Sequence, residues 1–190
     1  VFSQGFQKGF IALKSKNYQI AENTFRACEK KQAAAAAFGL ASLYLTNDYN
    51  NKDSSFKYVL LAENKWNLFD KKNREKARVY GFDSLAIQQL KLKVSSLFYS
   101  ECYSSILASD FQNFLDKHPW SPHCLHALVK RDSLLFENVK IVRTSKVVSD
   151  FILAYPKSYL IPTAVDLFDD LQYSEATVSG SIADFVLFIE

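Results

Sequence analysis

Shifted by 37 residues, the C-terminal half of this 190-residue chain lies on itself twice without a gap. Leu97, Leu134 and Leu171 coincide, as do Tyr99, Phe136 and Tyr173, and Cys102, Val139 and Ala176. Further on come Phe111, Val148 and Phe185, then Phe114, Phe151 and Phe188, then Leu115, Ile152 and Ile189. His118-Pro119 meets Tyr155-Pro156, Ser121 meets Ser158, and Ala127 meets Ala164. Proline has no N–H to continue a helix and pushes the preceding residue out of helical backbone. Each copy therefore reads as a helix stopped at an aromatic-Pro pair, a short turn and a second helix. A unit of this length buries its apolar face only against a neighbouring unit, which limits the chain to a stacked helical repeat. The chain has only 5 Gly and 4 Pro, too few for the turns of a many-stranded fold.

The N-terminal half shows helical periodicity of its own. Phe6, Phe10 and Leu13 fall on one face, then Tyr18, Ala21, Phe25 and Cys28 on another, with a break at Ser15–Asn17. The pattern predicts a helix–turn–helix. Ala33 to Ala37 opens a third helix running through Leu45, and alanine is both the best helix former and small enough to admit a close neighbour. Thr46–Asn51 reads as a turn, and Phe56, Tyr58, Val59, Leu61 and Ala62 mark the returning helix. Residues 65–82 read as a basic connector containing Lys71, Lys72, Arg74 and Lys76. Tyr80-Gly81-Phe82 reads as a helix stop, and Asp83 as the N-cap of one long helix from Ser84 to about Tyr103.

The spacing of Gly9, Tyr18, Ala21 and Phe25 resembles the tetratricopeptide repeat, and Gly39, Tyr49 and Tyr58 follow 30, 31 and 33 residues later. In the second copy Ser54 or Ser55 stands where that family has Ala, and a small insertion is needed. Neither copy has the family's large aromatic early in the first helix or its final Pro. The likeness covers residues 3–64. It implies antiparallel helix pairs stacked as a right-handed solenoid, with a concave groove faced by Phe10, Lys14, Leu40 and Tyr44. The later unit, Phe-(Leu/Ile)-x-x-(His/Tyr)-Pro-x-Ser, resembles helical-repeat lipoproteins and envelope scaffolds of bacteria, which implies an extracytoplasmic setting. Phe188-Ile189-Glu190 stops three residues into that unit, and the chain has no Met. Both are expected of a piece of a longer protein.

The chain is 48% hydrophobic and 15% aromatic, ample for a packed core. Net charge is +3, but residues 1–149 carry +9 and residues 150–190 carry −6. Such a dipole can drive head-to-tail association or meeting with an oppositely charged partner, though a solvated, unevenly decorated surface accounts for it too. No apolar run is long enough to span a membrane.

Candidate chemistry is sparse. His118, His123, Cys124 and His126 cluster near Asp116, and His123 and His126 share a helix face. His118, His123 and Cys124 coincide with Tyr155, Leu160 and Ile161 under the repeat, which gives these three packing roles. Cys28, Cys102 and Cys124 lie in apolar helical patterns and read as small hydrophobes rather than nucleophiles. The adjacent Asp169 and Asp170 point about 100° apart on a helix and do not make a carboxylate pair. No glycine-rich loop suits a phosphate. The basic run Lys71–Arg78, flanked by Trp66, Phe69 and Tyr80, has the composition of a nucleic-acid surface, but Asp70 and Glu75 interrupt it. Trp66 and Trp120 are candidate stacking residues for a glycan.

The resulting expectation is an all-α protein of about nine or ten helices. Its segments are two helix pairs at 1–64, a basic connector at 65–82, and a long helix with 37-residue repeats at 83–190. The expected role is a non-catalytic scaffold for a protein or peptide partner, without cofactor or metal and not for nucleic acid. The alternative is a regulatory or substrate-recognition region of a larger enzyme or of a glycan-binding envelope protein.

Overall fold

The computed structural model describes residues 5–178 and Val186. Ten α-helices, and no strand, occur among the described residues. The chain divides into two compact units, Val1–Phe98 and Tyr99–Glu190.

The first unit contains α1 (Phe6–Lys14), α2 (Tyr18–Cys28), α3 (Ala33–Tyr44), α4 (Lys52–Trp66), α5 (Lys71–Arg78) and the first part of α6 (Ser84–Tyr103). α1 packs on α2 and α3 on α4, while α3 also touches α1 and α2. Contact on three sides follows from the alanine run. Ala34, Ala35, Ala36, Ala37 and Ala41 are all buried, so α3 is apolar around most of its circumference. The predicted glycine spacing has a direct consequence. A Cβ on Gly9 would lie 2.6 Å from the Phe25 ring, and one on Gly39 would lie 2.2 Å from it. Phe25 is thus held between the backbones of α1 and α3. Ser55, in the small-residue position, is fully buried and donates its hydroxyl to the Ala41 carbonyl at 2.7 Å.

The segment 65–82 is not a linker. It contains α5, and it places Phe69, Ala77 and Phe82 in the core of the first unit. The Phe82 ring stacks on Phe38 at 4.8 Å and meets Trp66 edge-on at 5.1 Å. Its apolar residues, masked in sequence by the surrounding lysines, bind it to the unit. The boundary accordingly falls within α6 and not at residue 83. Gly81 does form the stop after α5, with φ +75°. Asp83 is the N-cap of α6, its carboxylate accepting the Ala86 N–H at 2.8 Å.

In the second unit, α7 (Ala108–Lys117) packs on α8 (Cys124–Val142), and α9 (Ser145–Ala154) on α10 (Ile161–Ala176). α7 and α9 begin and end 37 residues apart, and α8 and α10 begin 37 apart. The turns are copies in atomic detail. His118 and Tyr155 have φ/ψ of −128°/49° and −127°/55°. Each donates its N–H at 2.9 Å, to Phe114 and Phe151 respectively. Ser121 accepts the His123 N–H at 3.2 Å, and Ser158 accepts the Leu160 N–H at 3.3 Å. Buried Ala127 and Ala164 let each pair close. The third copy, expected at Phe185, Phe188 and Ile189, lies outside the described residues.

Candidate functional site

The first unit carries a cleft of about 570 Å³ between α1 and α3, flanked by Val79 and Tyr80 just after α5. Phe10 and Phe38 form its floor, and Ile11, Lys14, Ser42 and Val79 its rim. The floor aromatics are fixed by their neighbours. Phe10 lies 5.1 Å from Phe25 edge-on and stacks on Tyr80 at 6.1 Å. The rim is apolar and open: Ile11 is 54% exposed and Val79 82%. Lys14, on the same rim, is exposed, so a cation borders the apolar part of the mouth.

Of the four residues assigned to a groove, the structure brings Phe10 and Lys14 to this cleft and separates the other two. Leu40 is fully buried in the unit's own core, on the far side of α3 from the opening. Tyr44 belongs to a polar cluster among α2, α3 and α4. There the Glu22 carboxylate accepts the Tyr49 hydroxyl at 2.7 Å, and Arg26 donates to Glu22 at 3.0 Å, to Tyr44 at 2.7 Å and to Tyr58 at 3.0 Å. The Tyr49 hydrogen bond, helped by Arg26 and Tyr44, holds the Glu22 carboxyl below its ordinary range. In return, the bond to Glu22, together with burial, pushes the Tyr49 phenol up to about 12. These groups satisfy one another and pin helices together. Ile11 and Val79 were missed as site residues. Ile11 gives a readable signal, because it lies off the Phe6–Phe10–Leu13 stripe that α1 buries. Val79 gives none, since only the folding of the 65–82 segment brings it beside α1.

The remaining candidates are placed as follows. His118 is 1% exposed and stacks on Phe114 at 5.0 Å; burial, with Lys117 adding to it, pushes its imidazole down to about 4. His123 stacks flat on Tyr99 at 4.4 Å, and the His126 ring hydrogen-bonds the Tyr99 hydroxyl. Cys124 donates its thiol to the His118 carbonyl at 3.1 Å. Among the described residues no three His, Cys, Asp or Glu side chains are grouped to hold a metal ion. No disulfide joins Cys28, Cys102 or Cys124, and burial pushes Cys28 and Cys102 up, away from the thiolate form. Asp169 and Asp170 are exposed.

In the basic run, Arg74 lies 5.0 Å over the Trp66 ring and donates to the Phe69 and Asn67 carbonyls at 2.6 and 2.9 Å. It therefore closes the C-terminal end of α4. Phe69 is buried, and Trp66 packs on Phe69 and Phe82. Trp120 is half-buried and meets His118 edge-on at 5.7 Å. Both tryptophans thus have packing partners within their own units. No helix among the described residues is long and apolar enough to cross a membrane.

The fold and cleft define an all-helical protein with two compact units and an apolar, basic-edged cleft in the first. A scan against protein-family models found no match, and comparisons with curated proteins and with solved structures found none either.

Proposed function

We propose that the chain is a scaffold for protein–protein interaction, with helix pairs stacked in the manner of a tetratricopeptide-like solenoid. The cleft between α1 and α3 takes an apolar peptide segment flanked by acidic residues. The observation that carries this reading is the open apolar rim. Ile11 and Val79 stand exposed at the mouth of a cleft floored by Phe10 and Phe38. An exposed apolar patch beside a concave site is a general mark of a docking surface. Charge supports the choice of partner. Residues 1–98 hold 16 Lys+Arg and 8 Asp+Glu, a net +8, and Lys14 sits on the cleft itself. Acidic flanks would speed encounter and fix orientation, while the apolar segment would supply most of the affinity.

Peptide display against the full chain tests the reading. It should select sequences combining large apolar residues with Asp or Glu, and their binding should be lost on Ile11→Glu or Val79→Glu. Both positions are exposed, so neither substitution disturbs the core. Selected peptides that bind both variants as well as they bind the parent chain would refute the assignment.

A further inference from the structure

The second unit has a separate cleft of about 380 Å³, bordered by α7, α8 and the turn between α9 and α10. Arg131 enters it from α8, with a side chain only 13% exposed. Its guanidinium is held on three sides. Nε and Nη2 donate to Asp132 Oδ1 at 2.9 and 2.6 Å, and Nη1 donates to Gln112 Oε1 at 2.6 Å. Its Cζ lies over the Tyr155 ring, 4.9 Å from the centroid. A guanidinium has five N–H donors, so two are left after these three bonds. Lys157 is a second cation on the same cleft and is exposed.

The 37-residue repeat separates these residues from ordinary packing. Residues shared between copies are explained by the packing that the copies share. Arg131 breaks the pattern, because the matching positions are Val94 and Phe168, both apolar. Lys157 breaks it as well, because its counterpart is Trp120. Two departures from the repeat, both to cations, meet at one cleft. Asp132 offsets one of the two positive charges, which leaves a net of one. The cleft therefore suits a monoanion better than a phosphate dianion. Leu128, Ala154 and Pro156 supply apolar wall beside the cations.

We propose that this cleft binds a carboxylate attached to an apolar group, with Arg131 and Lys157 holding the carboxylate and Leu128, Ala154 and Pro156 the apolar part. A guanidinium fixed by three hydrogen bonds is well suited to planar carboxylate recognition, since little side-chain freedom remains to be lost. The source is either a small organic acid or the C-terminal residue of a peptide.

The test is a titration of the full chain followed by the NMR signals of residues 154–158. N-acetyl-leucine, N-acetyl-leucine amide, a tripeptide ending in leucine carboxylate and inorganic phosphate are the probes. N-acetyl-leucine should shift these signals saturably, with Kd on the order of 1 mM for so small a ligand. The amide and phosphate should not. A tripeptide that binds more tightly than N-acetyl-leucine identifies a chain terminus as the source, and equal or weaker binding identifies a free acid. Lys157→Ala, at an exposed position, should weaken binding about threefold. Arg131→Lys keeps a charge beside Asp132 but loses the planar fork, and should weaken it by at least about tenfold. No shift with N-acetyl-leucine, an equal shift with its amide or with phosphate, or undiminished binding by both variants would overturn the proposal. If Arg131→Lys fails to fold, Lys157→Ala decides. None of these outcomes depends on the cleft in the first unit.

Discussion

Phe25 in the first unit and His118 in the second are both ring side chains sealed from solvent, yet their surroundings differ in kind. Phe25 lies between two glycine backbones and against Phe10. His118 ends a helix at a turn that Tyr155 repeats, and its carbonyl accepts the N–H of buried Ser121 at 2.9 Å; Asp132 is a further buried polar residue of the unit. The first unit is closed by close backbone approach around aromatic rings, an arrangement that fails when volume changes. The second is closed by a copied turn and keeps ionisable groups inside, an arrangement that fails when protonation changes. Net charge divides the same way, at +8 for residues 1–98 and −5 for residues 99–190. Each unit carries one tryptophan, Trp66 or Trp120. Variants with one tryptophan replaced by Phe can therefore follow each unit's unfolding by fluorescence.

Phe25→Ala should produce the largest effect, a loss of about 4 kcal/mol reported by Trp66 and not by Trp120. Equal loss at both reporters would show that the two units unfold as one. Acidification should act on the other reporter. Between pH 6.5 and about pH 4 the unfolded chain protonates this imidazole while folded His118 stays neutral. The stabilisation is thus complete above the ordinary value and is lost as pH falls toward the folded one. The loss reaches about 3 kcal/mol by pH 4 and should be read by Trp120. His118→Tyr, which installs the residue of the matching turn, should flatten the profile in this range. A profile left unchanged by that substitution would assign the acid sensitivity to other groups.

Gly39→Ala should cost about 2 kcal/mol in the first unit, because the overlap with Phe25 outweighs the gain in helix propensity. In the Phe25→Ala background the same change should become neutral or stabilising, and denaturant titrations of the double-mutant cycle read the coupling. Asp83→Ala should have the smallest effect, about 1 kcal/mol, from loss of the α6 cap. Hydrogen exchange at Ala86 checks it, since its N–H loses the carboxylate acceptor.

Most of the helices were legible in the sequence, α5 excepted, because they carry local signals. Aromatic-Pro ended α7 and α9, Asp83 began α6, Tyr80-Gly81-Phe82 marked a stop, and the 37-residue offset fixed the second pair of helices from the first. The spacing of Gly9 and Phe25 likewise marked close contact between helices. Site residues were less legible. A groove residue and a core residue look alike on an apolar helix, and so Leu40 was grouped with Phe10 although it faces inward. Tyr44 was assigned by position on α3, but its hydroxyl is drawn toward Arg26 and Glu22, which come from another helix. Segment 65–82 looked like a linker because lysines outnumber the three residues, Phe69, Ala77 and Phe82, that bury it. Arg131 and Lys157 carry no local signal, since each is ordinary alone and unusual only against its repeat counterpart.

The sequence by itself determined that the chain is all-helical, where most helices begin and end, and that the later helices come as copies. Those properties follow from interactions over a few residues and from a period that neighbouring units must share. Only the tertiary structure decided which apolar residues stay open, where one unit ends and the next begins, and which charges meet in a cleft. Those depend on side chains far apart in sequence, such as Ile11 and Val79 or Gln112 and Arg131, and no local pattern encodes their approach.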